Sequence, residues 1–246
     1  MNDAFTYTPP ADALVGRTIL VTGAGDGLGA ALSEACAKLG ATVVLVGRTS
    51  KKLEAVYDRI EQAGGPQAAI LPLNLMTATW KDYEALAEML EREFGRLDGL
   101  VHCAAHFKAF SRLEDIEPRE WLDALQVNLT APYTLTRQCL PLLRRSASAS
   151  VVYVMDEGGR VPKPFQHVYG VSKRAAEGMM LTWAAELKGE TVLRFNTVDP
   201  GPMRTALRAK GYMSEVLAKL PPPAERLSRL LWLLGDESAG VSGKAF

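Results

Sequence analysis

The stretch "RTILVTGAGDGLGAALSEACAKLGATVVLVGR", residues 17–48, contains two short runs rich in β-branched residues with a helical apolar pattern between them. The two runs predict strands over 17–23 and 41–48, and the intervening pattern predicts a helix over 28–40 that stops at a glycine. A parallel pair of strands needs a crossover connection, usually a helix. The stretch therefore predicts a βαβ unit.

The same alternation of strand and helix patterns continues along the chain. Further strands are predicted at 68–74, 97–105, 150–155 and 191–200, and further helices at about 50–63, 79–94, 118–145 and 169–188. Apolar strands separated by helices predict a parallel sheet covered on both faces, and right-handed crossovers then give a doubly wound α/β fold, the Rossmann fold. The segment 203–235 is helical in pattern but interrupted by "LPPPAE", and we expect a substrate loop at about 202–222.

The composition predicts one domain that acts on small molecules. With 246 residues, 48% of them hydrophobic, the chain can bury one sizeable core, so we predict a single domain over 1–246. The 28 basic and 28 acidic residues balance. This gives no electrostatic reason to expect nucleic acid or an anionic membrane as a partner.

Neither a targeting segment nor a metal site is predicted. The start of the chain lacks a basic region followed by an apolar run, and no run approaches the roughly 18 apolar residues of a membrane span. We therefore expect a cytoplasmic protein. His102, His106 and His167 form no HExxH pattern, and the three widely spaced cysteines offer no metal-ligand spacing.

The stretch "TGAGDGLG", 22–29, lies between the first predicted strand and its helix. Gly23, Gly27 and Gly29 would allow a tight turn, close approach of the backbone to a pyrophosphate, and close helix packing. A glycine-rich turn alone is weak evidence, but the strand before it and the helix after it fit a dinucleotide site. We therefore predict a dinucleotide cofactor.

The end of the second predicted strand indicates which dinucleotide is bound. Where an NAD-preferring site places an acid, the chain has Gly47 followed by Arg48. An arginine suits the 2′-phosphate of NADP(H), so we expect NADP(H) to be favoured over NAD(H). Asp26 in the glycine turn could oppose this preference if it points toward the phosphate.

Four motifs together carry a family resemblance: "TGAGDGLG", "VNLTAPY" with Asn128, Tyr169 with Lys173 four residues later, and "DPGPMRT" at 199–205. In order and spacing the set resembles the short-chain dehydrogenase/reductase family over nearly the whole chain. The stretches "EGMM", "RTALRA" and "LLWLLGDESAG" resemble a subgroup labelled 3-oxoacyl-carrier-protein-reductase-like. The resemblance implies a Rossmann fold and an NAD(P)-dependent oxidoreductase.

The resemblance also implies roles for single residues. Tyr169 would be the proton donor and acceptor, Lys173 would bind the nicotinamide ribose, and Asn128 would anchor a water relay. A phenol has an ordinary pKa near 10, so Tyr169 needs a nearby cation to work at neutral pH, and Lys173 lies one helical turn away. Beside Tyr169 and Lys173, the cofactor-binding residues would be Gly23, Gly25, Asp26, Gly27, Leu28, Arg48, Asn74, Leu75, Ala104, Pro200, Gly201 and Thr205.

Three positions depart from the family pattern. The family's "NNAG" is "HCAA" here, at 102–105, and the acid expected after the third strand is Asn74. The largest departure is Asp156, which stands where the family has its catalytic serine. An ionised carboxylate only accepts hydrogen bonds, and it would repel the negative charge that develops on a reduced carbonyl oxygen.

Three functions therefore remain open. The first is an NADP(H)-dependent carbonyl reductase that tolerates Asp156. The second is a reductase of pterin-like or cyclic imine substrates, because the set of Asp156, Tyr169 and Lys173 resembles pteridine reductases and a carboxylate favours N–H groups and a cationic iminium. The third is a nucleotide-binding protein with little turnover. For Asp156 alone, a helix or turn cap directed away from the site is also possible.

The predicted helices at about 120–145 and 169–188 carry apolar residues on more than one face, as in "APYTLTRQCLPLL" and "EGMMLTWAAEL". One face would cover the sheet and another would pack on a partner subunit. We expect a homodimer or a homotetramer.

Overall fold

The computed structural model describes residues 5–213 and 215–246, which form a parallel sheet covered by helices on both faces. In chain order the strands are β1 (Thr18–Thr22), β2 (Thr42–Gly47), β3 (Ala69–Pro72), β4 (Gly99–His102), β5 (Ala149–Val154), β6 (Leu193–Val198) and β7 (Lys244–Ala245). They lie in the order β3-β2-β1-β4-β5-β6-β7, and all neighbours are parallel. The predicted doubly wound α/β fold is confirmed.

The helices alternate with the strands, as predicted. They are α1 (Gly27–Lys38), α2 (Ser50–Gln62), α3 (Trp80–Phe94), α4 (Pro118–Leu125), α5 (Ala131–Leu143), α6 (Glu157–Arg160), α7 (His167–Glu186), α8 (Ala206–Gly211) and α9 (Ser228–Leu234). A π-helical stretch, Gln126–Thr130, joins α4 to α5. Among the helices of the described part of the chain, none is long and apolar enough to cross a membrane.

The core lies in two layers, one on each face of the sheet. Successive side chains of a strand point to opposite faces, so Ile19 and Val21 of β1 pack toward α1, α2 and α9, while Leu20 packs toward α3, α5 and α7. All three side chains are fully buried. Burial on both faces explains why the strands are continuous apolar runs in the sequence.

The order of the strands creates a crevice at the carboxyl edge of the sheet. From β1 the chain continues to β2 on one side, and it later returns to β4 on the other side of β1. The strand order reverses here, so the chain leaves β1 and β4 toward helices on opposite faces of the sheet. Thr22 and His102 are the last paired residues of the two strands. The glycine turn and the segment after β4 therefore begin side by side.

The structure differs from the sequence-based expectations in detail. The strand predicted over 68–74 is limited to β3, and α6 and β7 were not predicted because four and two residues are too few to show a period. The expected loop at 202–222 contains α8 and a 3₁₀ turn, Leu217–Lys219. Ser214 of this loop, and residues 1–4 of the predicted domain, lie outside the described residues.

Candidate functional site

The glycine turn after β1 is packed closely against the segment after β4. A Cβ on Gly23, which has φ +69°, would lie 2.9 Å from the Cα of Ala104. The Ala104 amide donates to Thr22 Oγ1 at 3.2 Å. This close approach explains why small residues occupy positions 23 and 104, and it brings two predicted cofactor-binding positions together.

The loop after β6 also reaches the glycine turn. Gly27 has φ +53°, and a Cβ there would lie 3.3 Å from Thr205 Cγ2. Thr205 caps α8, because its Oγ1 accepts from the Arg208 amide at 3.1 Å. Nearer β6, Asp199 Oδ1 accepts from the amide of Gly201 at 2.8 Å. Thr205, the last residue of the motif at 199–205, therefore lies beside Gly27 of the glycine turn.

Asp26 caps α1 and forms an ion pair with a residue that sequence analysis missed. Its Oδ1 accepts from the Gly27 amide at 2.7 Å, and its Oδ2 lies 2.6 Å from Lys52 Nζ. The hydrogen bond from Lys52 lowers the pKa of Asp26 below its ordinary value. Arg48 is exposed and precedes α2, and it has no ion-pair partner among residues 5–213 and 215–246. The only sequence signal for Lys52 was its position four residues after Arg48.

The predicted residues after β3 lie at the rim of the crevice. Asn74 is exposed, and its Oδ1 accepts from the amide of Met76 at 3.2 Å. Leu75 is buried, and its carbonyl oxygen accepts from Gln126 Nε2 at 3.3 Å. The end of β3 is therefore connected to the π-helical stretch that carries Asn128. Leu28, in the first turn of α1, packs in the core below the glycine turn.

Tyr169 and Lys173 lie on α7, one turn apart, and both are buried. Lys173 Nζ donates to the carbonyl oxygen of Val154 at 2.8 Å, at the end of β5. The ammonium lies 4.6 Å from the centroid of the Tyr153 ring and 5.8 Å from the centroid of the Tyr169 ring. Tyr153 is thus a second aromatic neighbour of Lys173 that sequence analysis did not single out.

The pKa of the Tyr169 hydroxyl is raised in the structure. Burial raises the pKa of the Tyr169 hydroxyl well above its ordinary value, and Asp156, Tyr153 and Asp199 add to the increase. Burial also lowers the pKa of Lys173 to about 8, although Asp156 acts in the opposite direction. Desolvation is the largest cause of the raised Tyr169 pKa, and the expected action of Lys173 on the hydroxyl stays a prediction.

Asn128 holds three segments of the site together. Its Nδ2 donates to the His106 carbonyl oxygen and to Ser172 Oγ, both at 3.0 Å, and its Oδ1 accepts from the His106 amide at 2.7 Å. Its carbonyl oxygen accepts from Tyr153 Oη at 2.7 Å. The side chain therefore braces the segment after β4 against α7. Its predicted role as anchor of a water relay stays a prediction.

Asp156 is a helix cap and also lies within electrostatic reach of the buried pair. Its Oδ1 accepts from the Gly158 amide at 2.9 Å at the start of α6. Its charge raises the pKa of both Tyr169 and Lys173. The structure shows the cap of α6, and a direct role of the Asp156 carboxylate in the site stays a prediction.

Aromatic side chains cover Tyr169. The ring of Phe107 meets that of Tyr169 edge-on, with centroids 5.1 Å apart, and Phe107 meets Phe110 at 5.1 Å. Phe110 in turn meets Tyr212 at 5.0 Å, which connects the cover to the expected loop at 202–222. Isolated aromatic residues in loops give no periodic signal, so this cover could not be predicted from the sequence.

His102, in the altered "HCAA" segment, is neutral at physiological pH. It is buried, and its Nε2 is hydrogen-bonded to Thr136 Oγ1 at 2.9 Å. Burial lowers its pKa to about 3, and the charge of Lys173 acts in the same direction. Among the described residues no group of three metal-ligating side chains is gathered.

The family model described as short chain dehydrogenase matches residues 17–215, from the residue before β1 to the loop after α8. The chain belongs to the short-chain dehydrogenase family. As a member of this family the protein is an oxidoreductase, and the motifs that suggested the resemblance lie together at one edge of the sheet.

Similar proteins span the whole chain. The protein named uncharacterized oxidoreductase YciK, of Escherichia coli (strain K12), is 38% identical over 240 residues, which cover 98% of this chain and 94% of that protein. A structure of a short chain dehydrogenase from Pseudomonas syringae is 43% identical, with a TM-score of 0.94 and 98% of each chain covered. A short chain dehydrogenase from Escherichia coli CFT073, complexed with NADPH, is 38% identical, with a TM-score of 0.94, and the match covers 97% of this chain and 98% of that chain.

Proposed function

We propose that the protein is an NADP(H)-dependent oxidoreductase that transfers a hydride to a small-molecule carbonyl, with Tyr169 as the proton donor. The observation that carries the proposal is the buried pair of Tyr169 and Lys173 at the carboxyl edge of the sheet, where Lys173 Nζ donates to the Val154 carbonyl oxygen at the end of β5. A buried phenol with a raised pKa keeps its proton at neutral pH. It is therefore available to protonate a carbonyl oxygen as negative charge develops there.

The residues of the crevice fit a phosphorylated dinucleotide. The glycine turn leaves the start of α1 without side chains at 25 and 27, and Arg48 supplies an uncommitted cation at the end of β2. The similar protein complexed with NADPH supports the same choice of cofactor. NADPH, when bound, supplies the hydride. Gly23, Gly25, Asp26, Gly27, Leu28, Asn74, Leu75, Ala104, Pro200, Gly201 and Thr205 would hold the cofactor together with Arg48 and Lys173.

The roles of the remaining site residues follow from their contacts. Lys173, with a pKa of about 8, is mostly charged at pH 7 and would orient the cofactor's ribose while stabilising charge that develops on the Tyr169 oxygen. Asn128 would fix the distance between α7 and the segment after β4, through Ser172 and the His106 backbone. The aromatic cover would exclude water from the reacting carbonyl.

A second reaction, reduction of a pterin-like or cyclic imine substrate, is favoured by Asp156. Its carboxylate raises the pKa of both Tyr169 and Lys173, so its negative charge acts where a substrate would be protonated. Such a charge stabilises a cationic iminium and penalises an alkoxide. The same feature argues against a simple 3-oxoacyl substrate, although the subgroup labelled 3-oxoacyl-carrier-protein-reductase-like remains the narrower resemblance.

The experiment that tests the proposal is NADPH oxidation, followed by absorbance, against a panel of ketones, quinones, dihydropterins and cyclic imines. Fluorescence titration of NADPH on the same samples reports binding separately. We expect tight NADPH binding with turnover of at least one class in the panel. NADPH binding without turnover of any class would favour a nucleotide-binding protein, and absence of NADPH binding would contradict the proposal.

The proposal includes a homodimer or homotetramer in the cytoplasm. Three apolar side chains on α4, α5 and α7 are exposed: Leu122 by 61%, Tyr133 by 41% and Val171 by 42%. Exposure of large apolar residues on neighbouring helices supports burial against a partner copy.

A further inference from the structure

We propose that Lys52 is a second cation that selects the 2′-phosphate of NADP(H), and that it does so by neutralising Asp26 in the glycine turn. This inference rests on the cofactor proposed above. It goes beyond Arg48, the cation that the sequence indicated, and it concerns Asp26, the acid within the glycine turn.

The position of Lys52 is set by two contacts with the glycine turn. Its Nζ lies 2.6 Å from Asp26 Oδ2, while Asp26 Oδ1 caps α1. A Cβ on Gly25 would lie 3.0 Å from the Cβ of Lys52, so the aliphatic part of the lysine lies against the turn. The start of α2 is therefore packed on the turn, and the ammonium group is directed at it.

Arg48 and Lys52 flank the same corner of the crevice. Arg48 follows the last residue of β2, and the Lys52 amide donates to the carbonyl oxygen of Thr49 at 3.0 Å in the first turn of α2. The two cations are thus one helical turn apart in the chain. Arg48 has no acidic partner within the described ranges, so its charge is available to a ligand.

Lys52 determines the net charge at this corner of the crevice. Arg48, Lys52 and Asp26 together carry one net positive charge, and loss of Lys52 would leave none. Lys52 Nζ lies 2.6 Å from Asp26 Oδ2 and lowers the pKa of this acid, and without Lys52 the carboxylate would repel a dianionic phosphate.

The ion pair itself contributes little to stability. The side chains of Lys52 and Asp26 are 56% and 58% exposed, and exposed pairs of this kind have small effects on folding. Variants of Lys52 should therefore fold, and their effect should appear in binding. NADH lacks the 2′-phosphate, so it provides the internal reference for every variant.

Binding is measured by fluorescence titration with NADPH and NADH, and by displacement with adenosine 2′,5′-bisphosphate against 5′-AMP. We expect Lys52→Gln to raise the Kd of NADPH about tenfold and to leave the Kd of NADH within about twofold, since one charge at a partly exposed phosphate contact has an effect of this order. The matched control is Lys51→Gln, which removes a neighbouring exposed lysine and should change neither value.

Asp26→Asn provides the opposite change. Asparagine keeps the cap of α1 but removes the negative charge, so the Kd of NADPH should fall several-fold while that of NADH changes little. In the double variant, Asp26→Asn should restore part of the NADPH affinity lost with Lys52→Gln. A Lys52→Gln variant that weakens NADPH and NADH equally, or neither, would overturn the inference.

Arg48→Ala separates this inference from the proposed cofactor preference. If the parent prefers NADPH and Arg48→Ala removes the preference while Lys52→Gln preserves it, the role of Lys52 is wrong and the cofactor proposal stands. If the parent binds NADPH and NADH equally, both are wrong.

Discussion

Asp156 is the residue that distinguishes the two candidate reactions. Its carboxylate caps α6 through Oδ1, and its charge acts on Tyr169 and Lys173. A hydroxyl at this position could donate to a developing alkoxide, whereas an ionised carboxylate repels it. The same carboxylate would accept from N–H groups of a nitrogen heterocycle. Under the proposed function, substrate class would depend on this one side chain, whose local role as a helix cap a serine could also fill.

Replacing Asp156 should move activity from one substrate class to the other. Serine is a good N-cap, so Asp156→Ser should keep α6 intact while removing the negative charge. We expect kcat/KM for simple ketones to rise about tenfold, equivalent to about 1.4 kcal/mol of transition-state stabilisation, and activity on a pterin or cyclic imine to fall. Asp156→Asn is the control that removes the charge without adding a hydroxyl. Unchanged rates on both classes would remove Asp156 from the mechanism.

His102 should make the folded state sensitive to acid. Its pKa is lowered to about 3 in the folded protein, so only the unfolded chain takes up this proton as the pH falls below about 6.5. Stability from this group is therefore present at neutral pH and is lost between pH 6.5 and 3, by up to about 1.4 kcal/mol per pH unit. Urea denaturation at pH 7 and pH 4.5 should show a smaller decrease for His102→Gln than for the parent. Equal decreases would contradict the assignment.

Among the elements, α6 packs closely on α7 through Gly159 and Gly170, and a partly buried ion pair also joins the two helices. Arg160 Nε donates to Glu177 Oε1 at 2.8 Å, and Arg160 Nη2 donates to Thr197 Oγ1 at 3.1 Å. Glu177 is 5% exposed. The pair connects the helix that Asp156 caps to the helix that carries Tyr169. A four-residue helix could not keep its orientation without such a contact, since isolated short helices are not stable.

Removing Arg160 should destabilise the protein more than removing Arg174, the exposed second arginine that pairs with Glu177. Arg160→Ala leaves Glu177 buried with Arg174 at 3.6 Å as its remaining cation, and we expect the free energy of unfolding to fall by about 3 kcal/mol. Arg174→Ala, the matched control, removes a side chain that is 67% exposed and should have an effect below about 1 kcal/mol. Equal effects of the two variants in urea denaturation would show that the pair does not hold α6.

Longer helices and strands were predicted from the sequence with more accurate bounds than short ones. Five-residue β1 is a continuous apolar run and thirteen-residue α2 has a clear helical period, and both were placed within one or two residues of their observed ends. Two-residue β7 pairs with β6 through long-range contacts that no local pattern records. In the site, positions in motifs were predicted, whereas Lys52 and the aromatic cover depend on which loops meet at the crevice.

At the scale of the whole molecule, the apolar side chains that remain exposed indicate where copies of the chain would pack together. Both faces of the sheet are covered by helices, so the sheet itself needs no partner. The exposed side chains of Leu122, Tyr133 and Val171 are instead on the outer faces of α4, α5 and α7. A partner copy that packs on these helices would not need to cover the crevice at the carboxyl edge of the sheet.

Light scattering at micromolar concentration should give the mass of a dimer or tetramer. A charged side chain at the exposed apolar surface would be desolvated in a shared interface, so Val171→Glu should lower the measured mass. Val15→Glu changes a residue that is 66% exposed and lies far along the chain from these helices, and it serves as the control. A monomeric mass for the parent would contradict the proposed assembly.

The role of Tyr169 is tested by comparing the parent with Tyr169→Phe in NADPH oxidation and NADPH binding on the same samples. Phenylalanine keeps the ring that packs against Phe107 and removes only the hydroxyl. We expect turnover of the best substrate in the panel to fall at least a hundredfold, because a proton donor contributes about 10²–10⁴ in rate, while the Kd of NADPH changes less than about threefold. Turnover retained within tenfold by Tyr169→Phe would contradict the assignment of Tyr169 as the proton donor.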